Sequence, residues 1–119
     1  MSVAAVVARA IHRDIVTENM KIFRERYAST RPTPRTSASF RRAMKLCQSL
    51  GEGDRSVLFE MLEHVSVDSV STVLGLIQGA ATAEGLAGQF QLIYEGITDD
   101  IQDEFLVAEE ERRSASAFE

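Results

Sequence analysis

Two histidines, one cysteine and eighteen carboxylates are the groups in this 119-residue chain that could do covalent, metal or acid–base chemistry. Cys47 with His12 or His64 would form a nucleophile and its base. However, Cys47 falls on the apolar side of its own segment, where a free cysteine behaves as a small hydrophobe. Glu60 and His64 stand four residues apart and share one helix face. That supplies two ligands where a zinc site takes three or four, and His12 has no ligand pattern around it. Gly75 and Gly79 give a GxxxG spacing, but no glycine-rich stretch runs into Gly-Lys-Ser or Gly-Lys-Thr, so a phosphate-cradling loop is not indicated. Gly75 reads as a close helix contact and Gly79 as a helix end. The carboxylates show no spacing that would hold an acid–base pair in a cleft. The sequence therefore predicts a non-enzymatic protein with no metal and no cofactor.

The distribution of charge is more informative. Net charge is −5, but residues 1–50 carry ten basic side chains against three acidic ones (+7), and residues 51–119 carry three against fifteen (−12). Polarity of this kind bears on association rather than on fold. Between Glu84 and Glu111 there are nine acidic residues and no basic one. Glu84, Glu95, Asp99, Asp100, Asp103 and Glu104 are the candidate docking residues for a basic protein partner, because carboxylates spread over a helix and its adjoining turn attract Lys and Arg. Arg41, Arg42 and Lys45 form a basic helix face. Overall acidity and the lack of stacking aromatics beside that face argue against nucleic acid as the partner.

A single cysteine forms no internal disulfide, which suits a reducing, cytoplasmic setting. No apolar run approaches the ~20 residues of a membrane span. The first fourteen residues lack the basic start of a signal peptide and read as an amphipathic helix.

The elements that must position these groups form one mostly α-helical domain of about five helices, spanning residues 1–119. Residues 2–28, without Pro or Gly, predict one long helix with two apolar stripes. Val3, Val7, Ile11, Ile15 and Ile22 form the first; Val16, Met20, Phe23 and Tyr27 form the second, rotated around the axis. Two stripes require cover on two sides or a bend near Thr17. Cover from outside implies a homodimer, with Val16, Met20, Phe23 and Tyr27 as its interface. Residues 29–39, with Pro32 and Pro34, predict a linker.

A second helix follows from Ser39, with Phe40, Ala43, Met44, Cys47 and Leu50 inward and Gly51 as its left-handed cap. Asp54 would cap a third helix, with Val57, Leu58, Met61, Leu62 and Val65 inward, and Asp68 a fourth. Residues 89–94 alternate as a short strand or hairpin that needs a partner; an all-α bundle without it is the alternative. Thr98 or Asp99 would start the last helix, with Ile101, Phe105 and Leu106 inward and a Glu109–Arg113 pair near its end. Residues 114–119 are expected to fray. In size and charge alone the chain resembles small acidic bacterial proteins that work by binding, such as toxin-immunity proteins and DNA-mimicking inhibitors. The expected function is accordingly an inhibitor-like docking protein, with a homo-oligomeric assembly module as the alternative.

Overall fold

A computed structural model describes residues 2–96 and 100–116. Ser2 opens α1 (Val3–Ile11), its Oγ accepting from Ala5 N at 3.1 Å. The backbone continues without a break through a π-helical stretch, His12–Thr17, into α2 (Glu18–Ala28). After the linker come α3 (Ala38–Ser49), α4 (Glu52–Ile77) and α5 (Ile101–Ser116). Counting α1 to α2 as one rod, four helical rods and no strand are present among the described residues.

The π-helical stretch resolves the two stripes of the first rod. In a plain α-helix, residues four apart drift by about 40° per step, so His12, Val16 and Met20 would spiral off one face. The wider i→i+5 turn removes much of that drift. Ala8, His12, Val16 and Met20 are all buried as a result. Because Val16 and Met20 are fully covered by their own chain, they are not available to a second copy. The rod is therefore not the doubly exposed helix that its two stripes suggested.

Two clusters fill the interior. In the larger, Ala4, Ala8 and Val16 pack with Val67, Leu74, Ile101 and Phe105. Alanines on α1 let α5 approach closely; the pairs Arg9–Glu111 and His12–Glu109 show that the two run antiparallel. The smaller cluster joins Met20, Cys47 and Phe59.

Several boundaries differ from expectation for identifiable reasons. Ser37, not a residue further on, caps α3, its Oγ accepting from Phe40 N at 3.2 Å. Gly51 is extended (φ −65°, ψ 161°) and precedes α4. The end of α3 is sealed instead by Arg55, which donates to the carbonyls of Cys47 and Leu50, both at 3.0 Å. The expected third and fourth helices are one helix of 26 residues. Asp68 does not interrupt it, because no Pro or Gly stands nearby; the helix runs on although the hydroxyls of Ser66 and Thr72 bond back to the carbonyls of Leu62 and Asp68 at 3.0 and 2.7 Å, contacts that tend to bend a helix. Gly79, at φ 84°, does end it.

Residues 89–94 form no strand. Leu92 alone packs on the core, Phe90, Ile93 and Tyr94 are exposed, and no second strand exists to pair with them among the described residues. The start of α5 is tied to the end of α4. Gln78 Oε1 accepts from Ile101 N and Gln102 N, both at 3.1 Å, and Asp100 Oδ1 accepts from Asp103 N at 3.0 Å. Gly75 is the expected close contact: a Cβ there would lie 2.8 Å from Gln102 Nε2, which donates to Ser71 O at 2.8 Å. Leu106, expected inward, is exposed. The helix carries on through Ser116, and residues 117–119, the rest of the expected frayed tail, lie outside the described residues.

The rods spread over 47 × 40 × 22 Å with a radius of gyration of 17.5 Å. A compact chain of this length would have about 13.5 Å.

Candidate interaction surface

The groups that might have done chemistry are dispersed. Cys47 is buried against Met20 and Phe59, while His12 belongs to the other end of the rod, where its Nε2 donates to Glu109 Oε2 at 2.5 Å. Glu60 and His64 are exposed on α4, and no group of three or more His, Cys, Asp or Glu side chains that could hold a metal occurs among the described residues.

His12 is instead part of a buried polar network. Glu109, 5% exposed, accepts from His12, from Arg112 at 3.0 Å and from Arg113 at 2.8 Å. Arg112 reaches on to Glu63 Oε2 at 2.5 Å. Burial pushes the Glu109 carboxyl up, but the hydrogen bonds from Arg112, His12 and Arg113 outweigh it and hold its pKa down to about 2. The Glu109–Arg113 pair was legible from its spacing. Glu63 was not, since its partner is 49 residues away. Every buried side-chain polar atom is satisfied among the described residues, so this network closes and rigidifies one end of the molecule.

The acidic run divides into two parts. Glu111 pairs with Arg9 at 2.9 Å and Glu109 is enclosed as above. Glu84, Glu95, Asp100 and Asp103 are exposed and Glu104 half-buried. None of these five joins an ion pair among the described residues. Asp99 lies outside the described residues. The Asp103 and Gln78 hydrogen bonds lower the Asp100 carboxyl, and Asp100 in turn raises that of Asp103.

The basic half is occupied differently. Arg41 donates to Thr33 O and, at 3.1 Å, to Thr36 O, bracing the linker. Arg24 and Arg26 lie over the rings of Phe59 and Phe40, 5.9 and 5.6 Å from their centroids. Arg13 and Lys21 pair locally with Asp14 and Glu18. Arg31, Arg35, Arg42 and Lys45 are exposed and make no ion pair among the described residues. Among the described residues, Arg9–Glu111 and His12–Glu109 are the only ion pairs that connect the two halves, so most of the described charges of the two poles are not paired with each other.

The largest departure from sequence expectation is on α4. Its core face is Phe59, Glu63, Val67, Ser71, Leu74 and Gly75. Val57, Met61, Leu62 and Val65, expected inward, are exposed, with Met61 at 60% and Val65 at 63%. Beside them an apolar groove of about 340 Å³ opens between α2, α3 and α4. Phe23 and Tyr27, half of the expected oligomer interface, line it together with Leu46, Cys47, Leu58 and Leu62. The missed signal was that apolar residues recur on both sides of α4: Phe59, Val67 and Leu74 on one, Val57, Met61 and Val65 on the other. No helix of the described residues is long and apolar enough to cross a membrane. No protein-family model, curated protein or solved structure matches the chain.

Proposed function

We propose that the chain is a non-enzymatic, inhibitor-like or immunity-type protein that docks a basic partner protein through the acidic residues Glu84, Glu95, Asp99, Asp100, Asp103 and Glu104. The observation that carries this reading is that the five described carboxylates of the set remain without a basic partner, although the same chain has a half of net charge +7. Such a surface raises association rates with basic proteins and does so most at low salt. A reducing, cytoplasmic compartment suits the single buried thiol of Cys47. The test is affinity capture from native lysate over a salt series, comparing wild type with the E84K/E95K/D103K/E104K variant. The expected result is salt-sensitive capture of a basic protein that the variant loses while keeping its helical circular dichroism. Capture unaffected by the charge reversal overturns the reading.

A second reading, a homo-oligomeric assembly module, is favoured by the apolar groove and the exposed face of α4 beside it.

A further inference from the structure

The connection between α4 and α5 carries more apolar side chain than the core takes up. We infer that Leu86, Phe90, Ile93 and Tyr94 are the apolar anchors of the contact with the basic partner protein, which presents an apolar pocket inside a basic rim. The inference rests on the docking reading and names the part of the surface that holds the partner once charge has brought it in.

The connection is long and yet tied down. Residues 78–96 contain no helix, which exceeds the ~12–15 residues beyond which irregular connections are uncommon and are either loose linkers or functional loops. This one is not loose. Gln78 Nε2 donates to Asp100 Oδ1 at 2.8 Å, and Ala80 N and Ala81 N donate to Gly75 O at 2.9 and 3.0 Å. Leu92 packs on the core. Held at these points, the loop leaves Leu86, Phe90, Ile93 and Tyr94 each about half exposed. Leu86 and Tyr94 are eight residues apart, so at most ~29 Å separates them. An interface of standard size, ~800 Å² on each partner, is about 30 Å across and covers all four.

Charge selects the occupant. Residues 56–111 contain no Lys or Arg. Glu84 stands two residues before Leu86 and Glu95 directly after Tyr94, both exposed. Asp100 reaches the same place through the fold. It is hydrogen-bonded to Gln78, whose neighbour Gly79 lies against Phe90: a Cβ on Gly79 would be 2.9 Å from Phe90 O. Asp103 follows, its N donating to Asp100 Oδ1 at 3.0 Å. These four carboxylates join no ion pair among the described residues.

Aromatic and aliphatic anchors within a charged border are the anatomy of a protein–protein contact. The border repels nucleic-acid phosphates and anionic lipid surfaces. A second copy placed by a two-fold axis would set acid against acid. A basic protein satisfies both the border and the centre.

The experiment is photo-crosslinking in native lysate with the full chain carrying p-benzoylphenylalanine in place of Phe90 or Tyr94, and in place of Met61 as a control on the outer face of α4. The expected result is one basic protein, identified by mass spectrometry, joined at positions 90 and 94 and not at 61. That protein, purified, is then measured by biolayer interferometry over a salt series. F90S/Y94S should keep wild-type helical circular dichroism and bind at least ~100-fold more weakly, through faster dissociation and with the wild-type salt dependence. I93D, at the most exposed of the four, gives a second variant with the same direction. E84K/E95K/D103K/E104K should instead slow association and flatten the salt dependence. Binding that survives F90S/Y94S and I93D but is lost on charge reversal keeps the docking reading and overturns these anchors. Binding indifferent to all three variants overturns both. Crosslinks at 90 and 94 to a second copy of the chain, to an acidic protein or to nothing overturn the inference.

Discussion

The two ends of the first rod are built on opposite principles. At the α1–α5 end, small side chains allow close approach, Phe105 is fully enclosed, and the polar groups of His12, Glu109, Arg112 and Glu63 satisfy one another. At the α2–α3–α4 end, the rings of Phe23 and Tyr27 border a groove, and α4 turns a second apolar face to solvent. One end is complete in itself and the other has surface to spare. A single chain thus separates the part that holds the fold together from the part available to another molecule.

Substitutions at the two ends should therefore differ in kind. Phe105→Ala, in the closed end, empties a fully buried site and is expected to destabilise the chain by about 3–5 kcal/mol, read from urea unfolding. A loss under ~1 kcal/mol would mean that this end is as open as the other.

Glu109→Gln is expected to be smaller, about 2–3 kcal/mol, because it leaves His12, Arg112 and Arg113 facing a neutral group. It also carries a pH signature. The folded pKa of Glu109 is about 2 against an ordinary 4.5, so the unfolded chain binds more protons between those values. The stability contributed by Glu109 is complete above about pH 4.5 and is lost as pH falls toward 2. Acid unfolding followed by circular dichroism should show that loss in wild type and a shallower one in the variant.

Gly75→Ala forces Gln102 off Ser71 and is expected to cost about 1–2 kcal/mol by the same assay. The smallest effect belongs to the open end. Met61→Ser should change unfolding of the dilute protomer by no more than ~0.5 kcal/mol, measured where dimerisation is absent. A large loss there would show that α4's outer face is covered within the chain, and the contrast between the ends would collapse.

How much of this was readable in sequence follows the same division. The long first helix was legible because residues 2–28 lack Pro and Gly, and the Glu109–Arg113 pair because i,i+4 spacing is local. Gly75 and Gly79 were legible because a contact glycine and a terminating glycine have distinct neighbours along the chain. Periodicity did not choose a face for α4, since both faces are apolar; tertiary contact from Ile101 and Phe105 chose it. The alternation at 89–94 suggested a strand, yet a strand is made by its partner, and none is present among the described residues. Of the acidic set named from sequence, Glu84, Glu95, Asp100, Asp103 and Glu104 join no ion pair among the described residues. Sequence reasoning did not foresee that Glu109 and Glu111, at the end of the same run, are drawn to His12 and Arg9.

The π-helical stretch at His12–Thr17 ties the two ends mechanically. Such a turn holds one more residue than its α-helical counterpart. Rewinding it to plain α-helix with no residue removed would swing everything downstream by about 100° about the rod axis. Met20 would come off Phe59, and Phe23 and Tyr27 would turn away from the groove, while Ala4 and Ala8 stayed in place against Phe105. Deleting one residue as the turn rewinds would leave those directions nearly unchanged. That single wide turn works as the vernier of the molecule, setting the angle at which its outward-facing end is presented relative to its anchored one.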